Sequence, residues 1–204
     1  KIGLGGTPLH VGGPEGPAET VYLGCFRMDS IVRVGLFDEG IKRGQDWELN
    51  RRLREKDGTV WFTPRLRVVY RPRPSLAQLA RQMVSTGLWR GELARRYPED
   101  NGIRYFAPPV MVLGVTVGTL AGLAGLVQLV TGGTPWLLLG FLIPAAYLLL
   151  VALATVAVTR PDGFRAGLWF LVVLPCIHFC WGIGFLLGYL KLTTNISAHT
   201  GRQQ

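Results

Sequence analysis

Between Tyr105 and Thr159 the sequence holds no charged residue at all. That absence excludes an ordinary soluble domain, whose helices need a polar face toward water. Cysteine is scarce, with Cys25, Cys176 and Cys180 the only three in 204 residues. An odd count without a pairing pattern excludes a disulfide-stapled secreted scaffold. Acids are few as well, 13 against 22 lysines and arginines, for a net charge of +9. The glycines of residues 3–16 are not joined to a Lys-Ser/Thr pair, so they form no phosphate loop and read as plain loop or a flexible approach to a site. Lys1 is not an initiator methionine, and no basic, apolar and small-residue leader follows it. The chain is expected to begin partway into a larger protein.

What is present is apolar and long. Three stretches, about 109–130, 136–158 and 167–190, each approach the roughly 20 residues that a helix needs to cross a bilayer core. They are apolar on all sides, which predicts three transmembrane helices rather than a buried soluble bundle. The loop at 131–135 carries no charge, the loop at 160–165 carries Arg160 and Arg165, and the segment before the first span is strongly basic. Positive charge marks the cytoplasmic side. The N-terminal part and the 160–165 loop are therefore expected inside, and the tail after Lys191 outside.

Ahead of the membrane region, residues 1–74 read as part of an α/β domain. Strands are predicted at 20–26, 59–62 and 66–70, with a turn at Thr63-Pro64-Arg65. Helices are predicted at 29–34 and 45–56, separated by a turn region at 35–43. In the second helix Asp46 stands three residues before Leu49 and seven before Leu53, which places it on the inward face, with Arg51, Arg52 and Lys56 elsewhere. A carboxylate there is either a catalytic base or a helix-end group held by backbone N–H groups.

Residues 75–104 make the junction. After Arg71-Pro72-Arg73-Pro74, Ser75 is placed to cap a helix that runs to about Tyr97. Leu76, Leu79, Met83, Trp89, Leu93 and Tyr97 form its apolar stripe. Eight arginines and one acid, Glu92, lie between Arg65 and Arg96. The helix is expected to lie at the headgroup level, with Trp89 and Tyr97 at the interface and the arginines against anionic membrane lipids.

These segments, in order, carry a resemblance. Thr20-Val21-Tyr22-Leu23-Gly24-Cys25-Phe26-Arg27, then Val34-Gly35-Leu36-Phe37-Asp38-Glu39, then Gln45-Asp46-Trp47-Glu48-Leu49-Asn50-Arg51-Arg52-Leu53 resemble the C-terminal half of the catalytic domain of family-2 glycosyltransferases. Gly12-Gly13, Tyr70-Arg71-Pro72-Arg73, and His178 with Trp181-Gly182-Ile183-Gly184-Phe185 narrow this to bacterial membrane enzymes of the succinoglycan-biosynthesis type. The resemblance implies a GT-A-like α/β domain followed by an all-α membrane domain, 105–204. It implies an inverting transfer from a nucleotide-sugar donor to a lipid-linked or polysaccharide acceptor at the cytoplasmic face of the inner membrane. Asp46 falls at the general base, with Gln45 in place of the commoner acid before it. The family's Gln-x-x-Arg-Trp segment would begin at Gln82, where the Arg-Trp pair is missing, so only Gln82 and Trp89 carry over as substrate contacts.

The family's divalent ion, Mg2+ or Mn2+, sits on an Asp-x-Asp motif. No acids at that spacing precede Asp46, so the ligands are expected upstream of Lys1 and the isolated segment is expected to transfer nothing. Cys176, His178 and Cys180 make a poor metal set, because His178 points away from the face the two cysteines share. His178 is read either as a hydrogen-bonded structural residue or as a group near a lipid-linked substrate. Gly118, Gly122 and Gly125 allow close helix approach. Nucleic acid is not expected as a partner, since the positive charge is juxtamembrane and lacks interleaved aromatics. A different class remains open, a non-catalytic membrane anchor or scaffold subunit.

Overall fold

The computed structural model describes residues 14–21, 24–41, 44–66, 74–100 and 102–193. The chain divides into two compact units, one running up to Arg73 and the other over Pro74–Leu192.

In the first unit β1 (Gly16–Pro17) pairs antiparallel with β2 (Trp61–Phe62), Gly16 opposite Phe62 and Pro17 opposite Trp61. One further bond, Ala18 N–H to the Val60 carbonyl at 2.9 Å, extends the pairing. This is far less sheet than the sequence predicts. The described part of 20–26 is irregular, only Trp61 and Phe62 of 59–62 are strand, and residues 67–70 lie outside the described residues. Strand propensity becomes a strand only where a neighbour completes the ladder, and no described segment pairs with 20–26. The α/β layer expected for a GT-A-like domain is therefore not shown here.

The helices of this unit follow the sequence more closely. α1 (Met28–Arg33) ends at Gly35, φ 88°, whose N–H meets the Val32 carbonyl at 3.0 Å, while the Leu36 N–H meets that of Ile31 at 2.8 Å. That pair of bonds is the Schellman closure, and it carries Leu36 itself to φ 60°, a region costly for a residue with a Cβ. α2 (Gln45–Glu55) starts from Gly44 at φ 78°. The predicted turn at Thr63-Pro64-Arg65 is present over Pro64 and Arg65.

In the second unit α3 (Leu76–Arg96) is capped as predicted, the Gln78 N–H donating to Ser75 Oγ at 3.3 Å. Short 3-10 turns, Pro98–Asp100 and Ile103–Phe106, lead to α4 (Ala107–Val130). A 3-10 segment, Trp136–Phe141, precedes α5 (Leu142–Asp162), and α6 (Phe164–Tyr189) closes the unit. Three spans, Ile103–Val130, Trp136–Thr159 and Phe164–Tyr189, are long and apolar enough to cross a membrane. The basic loop expected at 160–165 is not a loop, because α5 runs to Asp162 and α6 starts at Phe164. Gly163 alone turns the chain, at φ 87°.

Glycines set the packing of this unit. At Gly87 and Gly91 of α3 an added Cβ would run into the backbone of Trp181, Phe185 and Tyr189. At Gly184 and Gly188 of α6 it would run into Val84 and Leu88. Two Gly-x-x-x-Gly pairs thus interlock, and the two backbones touch along a parallel register. Trp181, Phe185 and Tyr189 stack in sequence, with centroids 5.5 and 5.8 Å apart. Phe106, just before α4, meets Phe185 edge-on at 5.2 Å and Tyr189 at 6.0 Å. Gly182 sits against the Pro108 carbonyl, 2.9 Å from an ideal Cβ, and against Val112. The start of α4 and the end of α6 are therefore side by side, whereas three alternating crossings predict them on opposite faces.

The remaining small residues are also used within the chain. Gly118, Gly122 and Gly125 of α4 face Gly140, Phe141 and Leu138 of the 3-10 segment, and Gly167 of α6 faces Thr159 and Thr155 of α5. Outside these contacts, Val110, Leu113, Val117, Leu148, Leu149, Leu153, Leu168 and Val172 are exposed, as lipid-facing positions would be.

Candidate functional site

α2 carries the candidate base. Gln45 and Asp46 are both exposed, and Asp46 Oδ1 accepts the Trp47 N–H at 2.9 Å. The inward face of α2 is Glu48, Leu49, Asn50 and Leu53. The sequence expectation that Asp46 is inward is corrected on this point. Angular position alone misled, because Asp46 lies in the first turn, where the helix end emerges into the open. A first-turn carboxylate also sits favourably at the positive end of the helix dipole.

The buried carboxylate of α2 is Glu48, 3% exposed, and it went unnoticed in the sequence. Arg52, one turn on, grips it with two bonds, Nε to Oε1 at 2.6 Å and Nη2 to Oε2 at 2.7 Å. The same guanidinium donates Nη1 to the Val34 carbonyl and Nη2 to the Leu36 carbonyl, the latter at 2.7 Å. A bidentate pair of this burial is worth most as a pair. Removing one partner alone typically costs about 3–5 kcal/mol, since the other is left buried and charged. The signal was available, because a Glu four residues before an Arg is the favoured helical ion-pair spacing. Asn50, fully buried, donates Nδ2 to Thr20 Oγ1 at 2.9 Å and so ties α2 to the segment after β1.

The other two sequence candidates lie in the second unit, seven residues apart on α3. Gln82 is half-buried and its carbonyl accepts Thr86 Oγ1 at 2.8 Å. Trp89 is 3% exposed, so its ring belongs to the protein interior rather than to the lipid interface where the sequence placed it. The interlocked glycines on either side of it draw this stretch of helix inward. Part of the basic belt is likewise turned toward protein groups. Arg90 lies over the Tyr105 ring at 3.6 Å, and Arg104 donates to the Tyr105 hydroxyl at 3.1 Å.

Glu92 is the second buried acid, 4% exposed. Its Oε1 accepts Arg95 Nη2 at 2.6 Å and Arg96 Nε at 2.7 Å. Burial pushes its carboxyl up, but the hydrogen bonds and charges of Arg95 and Arg96 outweigh burial and hold it below the ordinary value of 4.5. A folded value below the unfolded one means that this stabilisation is complete above the unfolded value and is lost as pH falls through the folded one. Glu92→Gln should therefore lower the melting temperature of the detergent-solubilised protein at neutral pH. The gap from wild type should hold down to about pH 5 and close below about pH 4.5. A gap that stays constant through pH 3 would remove this role for Glu92.

His178 Nδ1 lies 3.3 Å from the Tyr147 hydroxyl, between α6 and α5. Cys25, Cys176 and Cys180 are free thiols. Among the described residues no group of three or more His, Cys, Asp or Glu side chains could hold a metal ion. The Mg2+ or Mn2+ that the resemblance implies thus finds no ligand set among them.

The comparisons bear on the family. No protein-family model matches the chain, and no solved structure matches it. It is similar to the succinoglycan biosynthesis protein ExoA of Rhizobium meliloti (strain 1021), with 26% identity over 178 residues. The match covers 83% of this chain and 52% of ExoA, so the chain spans about half the length of that curated relative. The similarity supports the family to which the ordered motifs point: this chain is a distant relative of the succinoglycan-biosynthesis type of glycosyltransferase.

Proposed function

We propose that the full-length protein is an inverting glycosyltransferase of the inner membrane. It would move a sugar from a nucleotide-sugar to a lipid-linked or polysaccharide acceptor at the cytoplasmic face. The reading is carried by the placement of Asp46, an open carboxylate at the head of α2, in a chain similar over 178 residues to a succinoglycan biosynthesis protein. As an acceptor hydroxyl oxygen bonds to the anomeric carbon, the bond from that carbon to the diphosphate breaks on the opposite face. The hydroxyl proton passes to Asp46 Oδ. Gln45 beside it and, in the second unit, Gln82 on α3 are the proposed substrate contacts, while the buried Trp89 offers a substrate no surface. The divalent ion would neutralise the leaving diphosphate when bound, and its ligands are proposed to lie outside this segment. Anionic lipids meet the exposed part of the basic belt, including Arg81. No nucleic acid is required.

The test is transfer by the full-length protein in inside-out membrane vesicles with a panel of radiolabelled nucleotide-sugars. Label should enter a lipid-extractable or polymeric fraction, and the 204-residue segment alone should incorporate none. Failure with every donor would replace the enzyme with a non-catalytic membrane scaffold. Turnover by the segment alone would refute the placement of the donor and metal groups outside it.

A further inference from the structure

We infer that the apolar surface gathered round α1, made by Met28, Val32, Leu36 and Phe37, is a docking surface for the part of the full-length protein that precedes Lys1. This inference rests on the reading that the donor and metal groups lie outside this segment. The four side chains are 66%, 55%, 46% and 47% exposed, although they belong to the first unit and to none of the three apolar spans. They lie close together. Met28 and Val32 stand one turn apart on the same side of α1. The Leu36 N–H bonds the Ile31 carbonyl at 2.8 Å, a closure that brings Leu36 back against the last turn of the helix. Phe37 follows directly and meets Phe26 edge-on at 6.4 Å, and Phe26 lies one residue before the N-cap Arg27. A lone exposed leucine carries no message, but a cluster of large apolar side chains round one short helix marks an interaction site.

Charge and chain length point to the occupant. Interleaved with the four apolar residues, Arg27, Asp29, Arg33, Asp38 and Glu39 are all exposed, three acids against two bases. An anionic bilayer surface favours the reverse balance, whereas a protein interface takes an apolar centre with a rim of mixed charge. The unit is also short of cover of its own. Among the described residues its sheet is two strands of two residues each, and a strand pair alone is marginal in water. The chain spans about half the length of its succinoglycan-biosynthesis relative, which therefore carries about as much sequence again with no counterpart in these 204 residues. The first unit is the N-terminal one. A segment ahead of Lys1 is thus tethered to the unit that needs covering, at an effective concentration on the order of millimolar.

The experiment puts photo-crosslinking benzoylphenylalanine in place of Val32, and separately of Phe37, in the full-length protein in membrane vesicles. After irradiation and digestion, mass spectrometry should join each position to peptides from before Lys1 of the same polypeptide. Mixing isotopically light and heavy protein separates links within one polypeptide from links between two copies. Links to lipid would place the surface on the bilayer, links between copies would make it a homo-oligomer contact, and no link at either position would leave it facing water. Each of those three results overturns the proposal. In the companion variant, Val32→Asp, the melting temperature of the full-length protein should fall by roughly 5 °C, because the new charge is buried only where the preceding chain covers it. An unchanged melting temperature would overturn the proposal as well. If Val32→Asp does not fold, the crosslinks still decide, since Val32 is more than half exposed within this segment and a larger apolar side chain fits there. Neither readout uses sugar transfer. Crosslinks to the preceding chain in a protein that transfers no sugar would remove the transferase reading and leave the docking surface standing, and transfer by a protein whose Val32 position links to lipid would do the reverse.

Discussion

Asp46→Asn in the full-length protein should cut kcat by about 10²–10⁴-fold, the usual contribution of a positioned general base. The substitution isolates the chemistry well. Asparagine has the same shape, and its carbonyl oxygen can still accept the Trp47 N–H that Asp46 Oδ1 takes at 2.9 Å. Asp46 is exposed, so little packing is disturbed and stability should move by no more than about 0.5 kcal/mol. What is lost is the capacity to take a proton. Because the donor is bound by other groups, donor affinity should be unchanged, and kcat and kcat/KM should fall together. Steady-state kinetics of the two proteins, with donor binding measured separately, decide the matter. A variant that still turns over within a few-fold of wild type would take the base away from Asp46.

The second expected result concerns the membrane. A cysteine placed at Leu192 and one placed at Pro98, just past the end of α3, each in a background without other cysteines, should react with a membrane-impermeant maleimide from the same side. Phe106 packs on Phe185 and Tyr189, and Gly182 on Pro108, so the end of α6 lies beside the start of α4. α3 runs along that same half of α6, from Val84 opposite Gly184 to Leu88 opposite Gly188. Pro175 interrupts the hydrogen-bond ladder of α6 just before the half that pairs with α3. Those contacts require an even number of crossings between the two labelled positions. Labelling from opposite sides would show three complete passes instead and would separate α3 from the end of α6. The charge pattern of the loops alone favoured the opposite answer, since it treats each apolar stretch as an independent crossing.

The two expected results draw on different kinds of information. Asp46 came from an ordered set of short motifs, and its neighbourhood came from the coordinates. The Glu48–Arg52 clamp has a recognisable helical spacing, but nothing in that spacing says that the guanidinium also reaches Val34 and Leu36, 18 and 16 residues back in the chain. Trp89 shows the reverse error. Its place on an amphipathic stripe suggests a lipid interface, and burial by the protein itself overrules that.

Local and compositional features were determined by the sequence alone. The Ser75 cap, the closure of α1 at Gly35, the turn at Pro64 and the lengths of the apolar helices depend on near neighbours or on hydropathy. They appear where the residues predict them. Tertiary structure decided whatever depends on a distant partner. A strand at 20–26 needs a neighbouring strand to bond with, the depth of Asp46 depends on what packs over the helix end, and the glycines of α3 and α6 acquire meaning only when each meets the other's backbone. Hydrogen-bond ladders and close backbone contacts are made between segments far apart in the chain, and their free energy is realised only once those segments have met.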